Sequence, residues 1–139
     1  MEALYTAIAH ASGGGRDGHV RSEDDRLDLD TRPPKEMGGT GDGTNPEQLF
    51  AAGYSACFLS ALHAVGKGLG VDTTGAEVSA SVSIGSNGEG GYGLAVELDV
   101  YVPKATAEQA QQAADAAHQV CPYSNATRGN IEVTIATVQ

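Results

Sequence analysis

The chain of 139 residues has no tryptophan and only five tyrosines and two phenylalanines. Large aromatic side chains therefore cannot dominate a core, which has to be built from small aliphatic residues. A chain of this length can bury roughly two thirds of the surface that its unfolded form exposes. Since no internal repeat and no linker is visible, we expect one domain over residues 1–139.

Basic residues are scarce, because eight Lys and Arg face eighteen Asp and Glu and give a formal net charge of −10. This charge has the wrong sign for neutralising phosphates or anionic lipid, so we expect neither nucleic acid nor a membrane as a partner. No apolar run approaches the ~20 residues of a membrane helix. The N-terminus lacks the basic start and long apolar run of a secretory signal. We expect a cytoplasmic protein.

Cysteine is also rare, with Cys57 and Cys121 as the only two. In a reducing cytoplasm a stable disulfide is unusual, so a bridge between them is expected to be transient. The alternative is a structural disulfide, which would stabilise the fold by about 4 kcal/mol on the loop-entropy estimate.

Alternating apolar and polar residues, separated by glycine-rich turns, predict the elements of the first part of the chain. They are a strand at residues 2–10, a turn at "GGGRDG", a charged turn between two short strands within 19–31, and a long loop at 32–45. A loop of that length in a small domain more often has a function than serves only as a connection.

A helix is predicted from residue 46 to about residue 65, ending at the glycines 66, 68 and 70. Asn45 is a suitable cap, Pro46 suits the first helical position, and Gln48 stands where a capping box requires it. Apolar or small residues cover nearly the whole circumference. Such a helix is expected to be buried on all sides.

The remaining pattern predicts two strands, a second helix and a final strand, at 76–84, 93–102, 106–120 and 130–138. Thr106 and Gln109 form a capping box for the second helix, and Pro122 stops or kinks it. The fold class is therefore α+β, with an antiparallel sheet wrapped on a buried helix.

Cys57 lies in the middle of the apolar stretch "AAGYSACFLSAL" and is either packing material or a nucleophile. Cysteine usually behaves as a small buried hydrophobe. A nucleophilic sulfur must be a thiolate, and apolar burial raises its pKa, so a cation is required nearby. Arg16, alone among glycines, is the candidate, since a guanidinium can fork between a thiolate and a carboxylate. Glu47 is the candidate carboxylate, although an acid in a first helical turn also simply favours the helix dipole.

Glu47 and Cys57 are ten residues apart, or about 15 Å along a straight helix. One arginine cannot bridge that span. Either the helix breaks at Gly53, or a second subunit supplies Arg16 and Glu47. We favour the second subunit, because a partner covers an apolar helix more easily than so small a chain does, and symmetric dimers are the commonest oligomers.

A zinc site is the main rival hypothesis for the cysteines. In "HQVC" the spacing of His118 and Cys121 suits one metal, and Cys57 with His63 could complete a tetrahedral set. Neither CxxC nor HxxxH occurs, so we expect no metal.

The segments "GTNPEQLFAAGYSACFLSAL" and "CPYSNATRGNIEV", with "GGRDG" upstream, resemble the organic hydroperoxide resistance proteins of the OsmC/Ohr family over nearly the whole chain. The resemblance implies an OsmC-like fold, an intertwined homodimer with sites at the subunit interface, and no bound cofactor. It implies a thiol peroxidase that reduces organic hydroperoxides to alcohols. Cys57 would attack, Cys121 would resolve, and Arg16 with Glu47 would hold the thiolate. Dihydrolipoyl groups on lipoylated proteins would act as the external dithiol.

The residues around Cys57 on the helix are expected to favour alkyl or fatty-acid hydroperoxides over hydrogen peroxide. These candidate substrate-binding residues are Phe50, Tyr54, Phe58 and Leu59. Core packing is the simpler role for each of them. A non-enzymatic redox sensor or binding module that uses the same cysteine pair is the alternative function.

Overall fold

The computed structural model describes all 139 residues, and the chain divides into two compact units, Met1–Leu49 and Phe50–Gln139. The elements are β1 (Ala9–Gly13), β2 (Gly18–Ser22), β3 (Asp28–Thr31), a 3-10 helix (Lys35–Met37), α1 (Pro46–Leu69), β4 (Glu77–Ser86), β5 (Tyr92–Tyr101), α2 (Ala107–Val120), α3 (Pro122–Thr127) and β6 (Glu132–Val138).

The first unit contains an antiparallel sheet in the order β1-β2-β3. The predicted turn at residues 13–18 is present and joins β1 to β2. The strand predicted at 2–10 is wrong over most of its length, because β1 begins only at Ala9. Its pairing partner explains this, since β2 has five residues and the pair of Ala9 with Ser22 already reaches the end of β2.

The loop at 32–45 is irregular as predicted, apart from its 3-10 helix, and its far end is tied to β3. Arg32 N–H donates to the Thr44 carbonyl, and Thr44 N–H donates to the Asp30 carbonyl, both at 2.9 Å. These bonds form an isolated parallel bridge between Thr31 and Thr44. The start of α1 is thereby held beside β3.

The N-terminus of α1 is capped as expected, but only in part. The Asn45 Oδ1 atom accepts from Gln48 N–H at 2.9 Å. The Gln48 side chain accepts from the Thr44 hydroxyl instead of completing a capping box with Asn45. The predicted reciprocal bond is therefore wrong.

Helix α1 is longer than predicted and unbroken, so a break at Gly53 is excluded. It runs through Gly66 and Gly68 to Leu69, and Gly70 takes a left-handed φ of 69°. Gly66 is needed for close packing, because a Cβ there would lie 2.6 Å from the Thr73 methyl carbon. A glycine can thus be helical where a neighbour requires the space.

The buried residues of α1 form one stripe, made of Tyr54, Phe58, Ala61, Leu62 and Gly66. On other faces Ala52, Ala56 and Ala64 are exposed in this chain. Burial on all sides is therefore not confirmed for the single chain. By length and composition alone α1 could cross a membrane, so the expectation that no apolar run is long enough for a membrane helix is wrong. The core helix of a soluble protein passes the same test.

In the second unit β4 and β5 are antiparallel, whereas β5 and β6 are parallel. The expectation of purely antiparallel sheets is wrong here, because the α2–α3 crossover returns the chain in the same direction. The core combines alternate residues of β5 with a stripe of small residues on α2: Val96, Leu98, Val100, Ala110, Ala113, Ala114 and Ala117.

Helix α2 begins at the predicted capping box of Thr106 and Gln109. Helix α3, which was not predicted, follows at once, with Pro122 as its first residue. Proline suits that position, and it drives the preceding Cys121 into an extended conformation with φ −62° and ψ 124°. Cys121 therefore occupies the corner between two helices.

Candidate active site

Arg16 and Glu47 form a bidentate ion pair within the first unit. Arg16 Nη1 donates to Glu47 Oε2 at 2.9 Å, and Nη2 donates to Oε1 at 2.8 Å. This fork geometry is the one in which arginine binds carboxylates most strongly. The acid and base that were singled out from the sequence are thus direct partners.

The turn that carries Arg16 is held by Thr31, whose side chain is fully enclosed. The Thr31 hydroxyl donates to the Gly15 carbonyl at 2.5 Å and accepts from Gly18 N–H at 2.9 Å. Gly18 has no room for a side chain, since a Cβ would lie 2.0 Å from the Ser12 carbonyl oxygen. The turn is therefore fixed from both of its ends.

Asp17, the only acid next to Arg16 in sequence, is an ion-pair partner of Arg32 at 3.4 Å. Glu47 is 31 residues further along the chain than Arg16, and the bridge between Thr31 and Thr44 brings it close by placing the start of α1 beside β3. The ion pair of Arg16 with Glu47 is therefore a product of the tertiary fold.

The Glu47 carboxyl is held in its charged form. Its hydrogen bonds to Arg16 lower the pKa of Glu47 below the ordinary 4.5, against the smaller opposing effect of burial. The Glu47 side chain is 12% exposed and that of Arg16 is 41% exposed. The pair is thus ionised at neutral pH, with the arginine end open to solvent.

In the second unit Cys57 and Cys121 are both free thiols and are neighbours. The Cys57 thiol interacts with the Cys121 side chain and with the backbone N–H of Tyr123. Cys121 is completely buried, whereas Cys57 is partly exposed. Two thiols that are 64 residues apart in sequence are therefore brought together, and a solvent-borne reagent can reach only the first of them.

The environment favours the neutral form of the Cys57 thiol. Burial raises its pKa above the ordinary value, the Tyr123 N–H lowers it, and the neighbouring Cys121 raises it again. Desolvation is the largest of these effects, as expected for a sulfur on an apolar helix. A reactive thiolate here requires further stabilisation of negative charge.

The sequence pattern did not predict the contribution of Tyr123. The first N–H groups of a helix have no partner within it. Pro122 has no N–H, so Tyr123 presents one of these groups at the start of α3. The Cys-Pro pair at 121–122 was the available signal, since proline favours the first position of a helix.

Gly53 provides the space that lets Tyr123 pack on α1. A Cβ at position 53 would lie 2.5 Å from the Tyr123 hydroxyl oxygen and 3.0 Å from its Cζ. The Tyr123 ring also contacts Phe50 and Tyr54, with centroids 5.9 and 5.6 Å away. The glycine that suggested a broken helix therefore serves close packing.

The four predicted substrate-binding residues differ in accessibility. Tyr54 and Phe58 are fully buried, whereas Phe50 and Leu59 are only partly buried. In this conformation only Phe50 and Leu59 can present surface to a substrate, and the other two belong to the core.

The histidines of the zinc hypothesis have other partners. His63 Nδ1 lies 2.7 Å from Thr73 Oγ1, and His118 Nδ1 lies 2.8 Å from Ser124 Oγ. No group of three or more His, Cys, Asp or Glu side chains is placed to hold a metal ion. The zinc hypothesis has no support in this geometry.

Residues 39–136 match the family described as OsmC-like protein. The chain belongs to the OsmC family. An organic hydroperoxide resistance protein of Xanthomonas axonopodis pv. citri is 52% identical over 96% of this chain and 94% of its own length. The crystal structure of one from Elizabethkingia anophelis matches with a TM-score of 0.93, 52% identity and coverage of 100% and 99%. One from Legionella pneumophila gives a TM-score of 0.94, 43% identity and coverage of 99% and 100%.

Gly53→Ala and Gly68→Ala form a matched pair of tests for the packing of Tyr123 on this OsmC-family chain. Both glycines are helical, but an added Cβ at Gly68 meets nothing within 4 Å. Gly68→Ala is expected to raise the free energy of unfolding by about 0.5–1 kcal/mol. Gly53→Ala should show no such gain, because the Tyr123 ring must move. Urea denaturation checks this, and equal gains for both variants would contradict it.

The ion pair of Arg16 with Glu47 predicts a pH dependence of stability. Because the folded pKa of Glu47 is lowered, its contribution is present above pH 4.5 and is lost as the pH falls through the folded pKa. The unfolding free energy of wild type should exceed that of Glu47→Gln by under about 1 kcal/mol at neutral pH, since solvent reaches the Arg16 side of the pair and screens it. The difference should shrink only below pH 4.5. A difference that changes between pH 6 and 8 would contradict this assignment.

Proposed function

We propose that this protein is a cysteine-based thiol peroxidase that reduces organic hydroperoxides to alcohols. The observation that carries the proposal is the contact between a partly exposed thiol, Cys57, and a fully buried one, Cys121. Relatives at about 50% identity are organic hydroperoxide resistance proteins, which supports the same substrate class.

The proposed reaction begins with the Cys57 thiolate, which attacks the outer oxygen of the hydroperoxide. The O–O bond breaks, the alkoxide leaves and takes a proton as an alcohol, and Cys57 becomes a sulfenic acid. The Cys121 sulfur then attacks the Cys57 sulfur, so that an S–S bond forms and the S–O bond breaks with release of water. The buried position of Cys121 beside the first sulfur supports this second step.

An external dithiol would reopen the bridge by thiol–disulfide exchange. It would attack the Cys57 sulfur, because Cys121 has no exposed surface. A dihydrolipoyl group on a lipoylated protein is the proposed dithiol, on the strength of the family resemblance.

Arg16 and Glu47 are proposed to stabilise the thiolate. The raised pKa of Cys57 creates the need for a cation, and a guanidinium has five N–H donors with which to hold a carboxylate and a thiolate together. Stabilising the charge that develops on the leaving oxygen is a further task for the same group.

A homodimer and a cytoplasmic location are parts of the same proposal. The exposed apolar face of α1 supports an interface, as do side chains such as Leu4, which is fully exposed, and Tyr5, which is 81% exposed. Phe50 and Leu59 are proposed to form the apolar wall that receives the alkyl part of the substrate.

The peroxidase assay tests the function directly. With excess dihydrolipoamide, wild type should consume an alkyl hydroperoxide over many turnovers and hydrogen peroxide more slowly. Cys57→Ser should be inactive, because the attacking sulfur is gone. In Cys121→Ser, Cys57 should still be oxidised to a sulfenic acid, but turnover should be slow because no resolving sulfur is present. A single oxidation event per chain, without turnover, would support a redox sensor instead.

Replacing the arginine separates two of its proposed roles. Arg16→Ala is expected to lower the peroxidase rate by more than its loss of thiolate explains, because charge on the leaving oxygen is also left unstabilised. Thiol titration and stopped-flow rates measure the two quantities. Arg21→Ala is the matched control, since Arg21 is an exposed arginine of β2. If the rate falls only in proportion to the thiolate fraction, the proposed stabilisation of the leaving oxygen by Arg16 is refuted.

A further inference from the structure

The Ser124 hydroxyl lies where three helices meet, and the proposed chemistry does not use it. Ser124 is completely buried. Its Oγ lies 2.8 Å from Nδ1 of His118 on α2 and 2.9 Å from the hydroxyl oxygen of Tyr54 on α1. One buried hydroxyl on α3 therefore connects all three helices.

The protonation of this cluster is consistent with a fully bonded network. Burial, and secondarily the charge of Arg128, lower the pKa of His118, so its ring is neutral at neutral pH. A neutral ring can accept at Nδ1 from Ser124, whose oxygen then accepts from Tyr54. The Thr127 hydroxyl donates to the Ser124 carbonyl at 3.2 Å. No buried side-chain polar atom is left without a partner.

Two members of this cluster flank the corner that carries Cys121. Cys121 N–H donates to the Ala117 carbonyl of α2 at 2.8 Å, and its carbonyl accepts from Asn125 N–H of α3 at 2.9 Å. The Cys121 backbone is thus hydrogen-bonded to both helices, so a change in the angle between them would move its sulfur. His118 and Ser124 stand on either side of this corner, three residues away in each direction.

We propose that Ser124, together with His118 and Tyr54, positions Cys121 for attack on Cys57. Disulfide geometry is narrow, because the torsion about the S–S bond and the Cβ separation are both restricted. A fully buried cysteine cannot search for that geometry at the surface. The orientation of its sulfur is therefore built into the hydrogen bonds of the α2–α3 corner.

The inference rests on the proposed peroxidase only for its biological use, so its test has an arm that needs no peroxide. In that arm diamide, an azo oxidant, takes two hydrogens from the two thiols and leaves the S–S bond. In the other arm an alkyl hydroperoxide is the oxidant. In both arms intact-protein mass spectrometry follows the Cys57–Cys121 bridge over time.

Ser124→Ala is expected to slow formation of the bridge about tenfold, because it removes the two buried hydrogen bonds of the hydroxyl and part of their stabilisation is lost from the step. The first oxidation of Cys57 should keep its rate, because no atom of Ser124 takes part in it. With excess hydroperoxide the longer-lived sulfenic acid should yield more sulfinic acid. Ser79→Ala, an exposed serine of β4, is the matched control and should behave as wild type.

Two substitutions of His118 separate positioning from general stability. His118→Asn can keep a polar atom near the place of Nδ1 and should restore bridge formation, whereas His118→Leu should resemble Ser124→Ala. Slower bridging should be accompanied by a bridge that is easier to reduce in a dithiol redox buffer. A merely structural role would lower the free energy of unfolding and leave that reduction equilibrium unchanged. If Ser124→Ala does not fold, as judged by circular dichroism, the His118 pair decides.

The outcomes are distinct. If wild type consumes no hydroperoxide but Ser124→Ala still forms the bridge slowly with diamide, the proposed peroxidase activity is overturned and the positioning role is supported. The positioning role would be overturned if both Ser124→Ala and His118→Leu form the bridge at the wild-type rate with either oxidant. Their bridges would then also be as easy to reduce as that of wild type.

Discussion

The desolvation of one sulfur is the constraint on which the rest of the site depends. Cys57 lies on an apolar helix, and burial raises the pKa of its thiol above the ordinary value. The Tyr123 N–H, presented at the start of α3, opposes that effect, but the neighbouring Cys121 thiol adds to it. A thiol with a raised pKa is mostly neutral at neutral pH, so a thiolate at Cys57 requires stabilisation of its negative charge.

Each of the two units holds its own candidate residues by a separate device. In the first unit a glycine-rich turn, clamped by the buried Thr31 hydroxyl, presents Arg16 to Glu47. In the second unit a proline starts a short helix immediately after Cys121 and so places that residue at a corner. Both devices rely on residues with special backbones, since the turn has glycines at positive φ and proline favours the first position of a helix.

The elements with strong local signals were predictable from the sequence, including the capped start of α1, the capping box of α2 and the strands β4 and β5. The end of α1 was not, because the packing of Gly66 against Thr73 overrides its low helix propensity. Helix α3 was not predicted, because a proline that ends one helix can equally occupy the first position of the next. The pairing of Arg16 with Glu47 was only a hypothesis in sequence, since it depends on a bridge between residues 31 and 44 that no local pattern shows.

The proposed reaction requires Cys57 and Cys121 to form a disulfide with each other during turnover. Peptide mapping after one molar equivalent of an alkyl hydroperoxide tests it most directly. The account predicts an intramolecular Cys57–Cys121 bridge as the main product, with one alcohol released for each bridge. Both thiols remaining reduced, or a sulfinic Cys57 beside an unmodified Cys121, would contradict it.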